Sequence, residues 1–396
     1  MERDAVNRDA VRTLVRDVAA ALLVVVIAIV IAAYRVHHDA RRWDPDGAIY
    51  LRMTLQHRGL SEDAARAAAE QLIRQSSPQL DPRLKSYLGG DPPQFYVDQF
   101  ALFHGRQLYP TLGALFYPRY GALGLRLISA FAYVCAVLAM YLLLRAFTTV
   151  PIAAVGAVAL GTAPAVLESV ALVTTDQLGN LFWVCSLGAL FAYVRKGTVT
   201  PLIGLIVAAL ALALTRPAIY LPLGAAIGAF IVARNTPMRR ASTVALAAMS
   251  LVTVFYLLYS VFVHAAGPLA QLRWEYEWYQ AIRAPFTGHG FLAWWLPTIA
   301  FAGVLESLLD VYKNGALLII AFAIFGAISI WGTIEMAAIL GGSISVLVAL
   351  VANPTDVERT VTLPITPLAV ILASIPLQRL ADARVNLHCS KIPSRG

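Results

Sequence analysis

The stretch VAAALLVVVIAIVIAAY, from Val18 to Tyr34, carries no charge and decides the fold class. A helix rises about 1.5 Å per residue, so this run spans most of a hydrocarbon core about 30 Å thick. Arg16 and Asp17 stand just before it, and Arg35, His37 and His38 just after. Working outward, runs of the same kind recur along the chain, separated by short polar punctuation. Of the 396 residues, 59% are hydrophobic and only 14% charged, with mean hydropathy +0.68. Soluble domains carry about 45–50% apolar and about 25% charged residues. The chain therefore reads as an all-α polytopic membrane protein.

After the first span, roughly 18–35, the loop 37–123 is too long and too charged to lie in lipid. Further spans are expected at about 124–146, 151–171, 177–195, 200–215, 218–233, 242–263, 315–333, 335–352 and 361–378. The stretch 291–310 competes as an eleventh, but Trp294, Trp295 and Pro297 suit an interfacial position, so ten spans are expected. The basic polar segment 1–16 precedes the first span, which reads as a retained helix rather than a cleaved signal, being long and without a small-residue cleavage site. Ser61-Glu62-Asp63-Ala64 begins as a helix does, and an Ala-rich run to Arg74 predicts an amphipathic helix inside the first loop.

The formal charge of +8 does not imply nucleic acid, because the basic residues cluster at the ends of apolar runs. Arg195-Lys196 and Arg234, Arg239 and Arg240 mark cytoplasmic loops by the positive-inside rule. Both termini, including the basic tail 379–396, are then cytoplasmic, and loops 37–123 and 264–314 face outward from a plasma or inner membrane. Only four of 31 basic residues are Lys, a balance that fits a GC-rich bacterial genome. Cys135, Cys185 and Cys389 lack metal-ligand spacing and read as packing residues.

Several polar residues fall where outer loops meet helices. Asp44-Pro45-Asp46-Gly47 places two carboxylates at the start of the first loop; they form a poised acidic site or an ordinary turn. Asp176 lies before the fourth helix as an acid site or a cap. Glu168 falls within an apolar run, where an ionisable residue is a functional candidate. Arg216, in Thr215-Arg216-Pro217, either grips an anion through its fork or snorkels to headgroups. Arg359 follows Asp356 and Glu358, either of which would neutralise it. Arg106 and Tyr109 close the first loop. Trp274, Tyr276, Trp278 and Tyr279 interleave with Arg273, Glu275 and Glu277 in the manner of a sugar-holding surface or an interfacial helix. His104, His264 and His289 have no ligand spacing, so no metal set is identifiable.

These segments together resemble the GT-C superfamily of membrane glycosyltransferases, which includes protein mannosyltransferases and bacterial aminoarabinose transferases. Asp46-Gly47-Ala48-Ile49-Tyr50 is similar to the family's Asp-x-x-Tyr segment with one residue added. Arg106-Gln107-Leu108-Tyr109-Pro110 resembles the return of the first loop, and Thr175-Asp176-Gln177 the second acidic site. Leu214-Thr215-Arg216-Pro217 resembles the phosphate-contact motif. Glu358-Arg359-Thr360-Val361-Thr362-Leu363-Pro364 resembles a Glu-Arg-Tyr-x-x-Pro segment, with Thr360 in place of Tyr. The resemblance implies transfer of a sugar from a polyprenyl-phosphate carrier, a membrane lipid, to an acceptor it does not name. Asp46 would be the base, with Asp44 as the alternative. Arg216 and Arg359 would hold the phosphate, and Asp176 would orient the acceptor or a divalent metal. Tyr50, Arg106, Tyr109 and Glu168 would complete the substrate-binding set. The readings that compete with it are a transporter or flippase without covalent chemistry, and a structural subunit of an assembly. No internal repeat of the kind transporters carry is present.

Overall fold

A computed structural model of the chain describes residues 2–39, 42–76, 101–282, 290–299, 317–353 and 358–389, and everything said below is of these. Among the described residues every regular element is a helix, with no strand. Six helices are long and apolar enough to cross a membrane: Val11–His38, Ala122–Arg145, Asp176–Lys196, Arg239–Phe262, Ile334–Val351 and Arg359–Ala383. Four shorter apolar helices, Val150–Thr162, Val199–Thr215, Tyr220–Ala233 and Ile319–Ser329, fall on the other expected spans. On the long helices Val11–His38 and Arg239–Phe262 the outward faces carry large apolar side chains such as Leu22, Val30, Leu258 and Phe262, all more than half exposed. That is the reverse of a water-facing surface and suits lipid contact.

The first helix, α1 (Glu2–His38), is continuous through the segment expected to precede the span. It buries Val24, Ala28 and Ala32, an i, i+4, i+8 stripe, against the bundle. In the loop region α2 (Pro45–His57) and α3 (Glu62–Ser76) follow. Ser61 accepts from the amide of Ala64 and opens α3 where the sequence places it. Next come α4 (Leu108–Tyr120) and α5 (Ala122–Arg145), broken by Gly121 at φ 57°.

The expected single span 151–171 is corrected. α6 (Val150–Thr162) stops at Ala163, and a separate short helix, α7 (Pro164–Glu168), follows. Pro164 disfavours helical backbone in the residue before it, and Ala163 is extended at φ −60°, ψ 132°. Then come α8 (Asp176–Lys196), α9 (Val199–Thr215), α10 (Tyr220–Ala233) and α11 (Arg239–Phe262). In the second loop lie α12 (Pro268–Ile282) and α13 (Phe291–Thr298). Trp294 is buried, and Tyr276 packs edge-on against it. Residues 300–310 of the competing stretch lie outside the described residues, as do the side chains of Trp278 and Tyr279.

The chain closes with α14 (Leu317–Ser329), α15 (Ile334–Ala352) and a π-turn, Glu358–Thr362, that runs into α16 (Leu363–Cys389). The tail expected from 379 is thus helical as far as Cys389. One end of the bundle carries α2, α3 and the start of α8. The other is tied by ion pairs Arg145–Asp17 at 2.9 Å and Arg195–Glu335 at 2.8 Å.

Candidate functional site

Four segments distant in sequence bring their charges to the α2 end of the bundle. Asp44 and Asp46 come first. Asp44 is the N-cap of α2, extended at φ −94°, ψ 150°, and its Oδ1 accepts from the Asp46 amide at 3.0 Å. Pro45 takes the first helical position, where a missing N–H costs nothing. That turn places both carboxylates on one side.

Asp176 is the first residue of α8, where the partial positive charge of a helix start favours an anion. Its side chain is only 4% exposed. Arg216 ends α9: Pro217 holds it extended, at φ −151°, ψ 143°, and so turns its side chain off the helix.

Arg359, on the π-turn, is the hub. Its Nη1 donates to Asp46 Oδ2 at 2.7 Å and its Nη2 to Asp44 Oδ2 at 2.9 Å. Nε lies 3.2 Å from Asp176 Oδ2, while Asp176 Oδ1 takes Arg216 Nη1 at 2.5 Å. Three partners of Arg359 therefore come from across the fold; of the neighbours proposed for that part, Asp356 and the side chain of Glu358 lie outside what is described. The cations expected to hold a phosphate rest on the carboxylates themselves.

Tyr50 joins the same group. Its hydroxyl is 3.1 Å from Thr175 Oγ1 and accepts from Arg106 Nη1 at 3.3 Å. Burial pushes the Tyr50 phenol above its usual range, so it stays protonated. Burial likewise pushes the Asp46 carboxyl up, an effect larger than the pull of Arg359; Asp44 and Asp176 add to the rise. A carboxylate raised in this way is a stronger proton acceptor when ionised.

Two expected site residues stand apart. Tyr109 is fully buried under the cluster, with its hydroxyl donating to Leu125 O at 2.8 Å and lying 3.1 Å from Ser129 Oγ. It packs edge-on against Tyr50 and supports it rather than reaching the cavity. Glu168 does not sit in an apolar span: it ends α7, is exposed, and lies at the mouth of a cavity of about 110 Å³. Asp44, Asp176, Arg359, Arg42 and Ser169 line that cavity with it.

Gly47 serves the packing of this end. A Cβ there would sit 3.2 Å from Val173 O and 3.3 Å from Val173 Cβ. Its bare backbone lets α2 close onto the segment that leads to Asp176.

Arg126 is a residue the sequence reading passed over. Its buried guanidinium donates to Asp39 O at 2.9 Å, Arg42 O at 2.7 Å and Ala171 O at 2.7 Å, with the Trp43 ring 5.2 Å away. It staples the lead-in to Asp44 to the lead-in to Asp176. An arginine at the start of an apolar run was the signal available to find it.

Among the described residues no three or more His, Cys, Asp or Glu side chains are gathered to hold a metal ion. The space between the three aspartates is taken by the Arg359 guanidinium. Comparison with protein-family models found no match to this chain, and comparison with curated proteins found none either.

Proposed function

We propose that this chain is a glycosyltransferase that moves a sugar from a polyprenyl-phosphate carrier to an acceptor hydroxyl at the outer face of a membrane. The observation that supports it is the three-way engagement of Arg359 by Asp44, Asp46 and Asp176 beside a cavity. Acids and a fork-shaped cation are both required by such a transfer, and here they arrive from opposite ends of the chain.

In this reading the carrier phosphate displaces the carboxylates from Arg359 and shares Arg216. Phosphate matches the guanidinium fork as well as carboxylate does. Asp46, released, takes the proton of the acceptor hydroxyl as that oxygen bonds to the anomeric carbon. The bond from that carbon to the phosphate oxygen breaks, and the carrier leaves as its phosphate monoester. Arg359 and Arg216 stabilise the charge that develops there.

Ten crossings, with both termini cytoplasmic and the Arg359 cluster outside, complete the proposal. Cysteines placed at Arg58 and Lys196 should then label from opposite sides; labelling from one side would remove this topology.

The decisive experiment incubates purified protein in detergent with a panel of radiolabelled polyprenyl-phosphate sugars and a cell-envelope extract as the source of acceptor hydroxyls. Release of polyprenyl phosphate is the expected result. Bound lipid with no release from any donor would reject the enzyme and favour a transporter.

A further inference from the structure

Two charges at the cavity are answered by nothing in the fold. Asp44, Asp176 and Glu168 line it on the acidic side, Arg42 and Arg359 on the basic side. Arg359 holds Asp44 at 2.9 Å and Asp176 at 3.2 Å. Arg42 and Glu168 are both exposed, and among the described residues neither side chain has a hydrogen-bond or ion-pair partner. They share one cavity and do not pair with each other.

Both side chains nevertheless stand on anchored backbone. The carbonyl of Arg42 accepts from buried Arg126 at 2.7 Å. Glu168 is the last residue of α7. The buried Ser169 after it accepts from the side-chain amide of Gln177 at 2.7 Å, which ties that end of α7 to α8. The two charges are thus fixed at the mouth by their backbones, with their side chains left to whatever enters. A guanidinium there draws an anion onto its fork. A carboxylate on the same cavity limits how much negative charge that anion can carry, because like charges repel.

The donor and the spent carrier differ in that quantity. The donor is a phosphodiester with a single negative charge. The spent carrier is a monoester, which carries about −1.5 to −2 at pH 7. We propose that Arg42 and Glu168 form a charge gate, in which Arg42 receives the lipid phosphate and Glu168 opposes its second charge. The gate retains the phosphodiester donor and sheds the phosphomonoester product. This rests on the lipid-phosphate reading given above. Three acids against two arginines leave the lining with one negative charge in excess before any ligand enters. Glu168 is the acid that sets this excess, since Asp44 and Asp176 are already engaged by Arg359.

The test measures Kd in detergent at neutral pH for undecaprenyl phosphate and for its methyl ester, a singly charged diester without a sugar. Wild type is compared with Glu168→Gln and Arg42→Gln. Glu168→Gln should tighten the monoester about threefold more than the methyl ester, the size of a contact between exposed charges. Arg42→Gln should weaken both, the monoester about threefold more. The two variants therefore move the ratio of affinities in opposite directions. Melting temperatures without lipid should match wild type, because neither side chain has a protein partner to lose. A fall in either variant would mean that the fold holds that side chain, and overturns the gate. A ratio that Glu168→Gln leaves unmoved or shifts the other way, or affinities unmoved by Arg42→Gln, also overturn it and leave the proposed function standing. If wild type binds neither lipid, the lipid-phosphate reading fails and the gate fails with it.

Discussion

Two seams of this bundle are closed by opposite means. Between α10 and α15 the backbones touch: a Cβ added at Gly228 would land on Ala337 O, and one at Gly341 on Gly224 O. Nothing charged is involved. At the α2 end an apolar cluster around Tyr50, Leu51 and Leu125 is overlaid by a charged seam, in which Arg359, Arg216 and Arg126 join the elements. The glycine seam has one geometry and gains only from closeness, as small-residue interfaces in membranes do. The charged seam costs desolvation and is repaid only while every partner is present. A seam of the first kind is scaffold; one of the second kind is able to exchange partners.

Breaking the scaffold should have the larger effect. Gly228→Val forces a branched side chain into a carbonyl, beyond the ~1–3 kcal/mol of ordinary overpacking. Monodisperse protein should vanish from size-exclusion profiles after solubilisation. A normal profile would mean that the two helices do not meet so closely.

Arg359→Ala should come next. It leaves three carboxylates together with one cation fewer, which costs about 3–5 kcal/mol for a buried network. Adding Asp46→Asn to Arg359→Ala should recover part of the lost melting temperature, because a repulsion is removed. No recovery would separate Asp46 from the network.

Asp46→Asn alone sharpens the contrast, since it removes function while sparing the seam. Transfer should fall at least ~100-fold, whereas the amide oxygen still accepts from Arg359. The pH dependence has a definite sign. The folded-state carboxyl is raised above the ordinary 3.8, so the folded protein keeps a proton that the unfolded chain releases. Stability from this group therefore falls as pH rises from 3.8 to the raised value, then stays level. Asp46→Asn should abolish that slope in melting temperature; a slope of opposite sign would mean that Arg359 outweighs burial. Asp44→Asn should keep most of its transfer activity, because half of the Asp44 carboxylate serves as the cap of α2.

Arg216→Lys should be the mildest. Lysine keeps the charge near Asp176 but not the fork, so carrier affinity should drop only part of the way that Arg216→Ala takes it. Equal affinity in both variants would confine Arg216 to pairing Asp176.

Much of the bundle was legible because hydropathy over about twenty residues is a local signal, and it located the six long helices. The helix from Glu62 was legible through its Ser61 start. The break at Pro164 was also written in the sequence, but the apolar run around it masked the proline. The site was legible only in pieces. Asp44, Asp46, Asp176, Arg216 and Arg359 each stand where a loop meets a helix, a position a reader sees. That Arg359 rests on an acid 313 residues away is not a local property. Without that contact Arg216 reads as an anion grip or a snorkelling side chain, and Arg359 as a cation neutralised by its own neighbours.

Arg126 grips carbonyl oxygens and not side chains, and this has an evolutionary consequence. The staple itself sets no identity at residues 39, 42 and 171, because any amino acid presents the same acceptor; Ala171 is held small by its burial and Asp39 by its pair with Arg35. What the staple fixes is chain length. From Arg42 to Asp44 and from Ala171 to Asp176 there is no slack, so one inserted residue would carry a carboxylate away from Arg359. Relatives of this chain should therefore keep the spacing of these two segments even where the residues that offer the carbonyls differ.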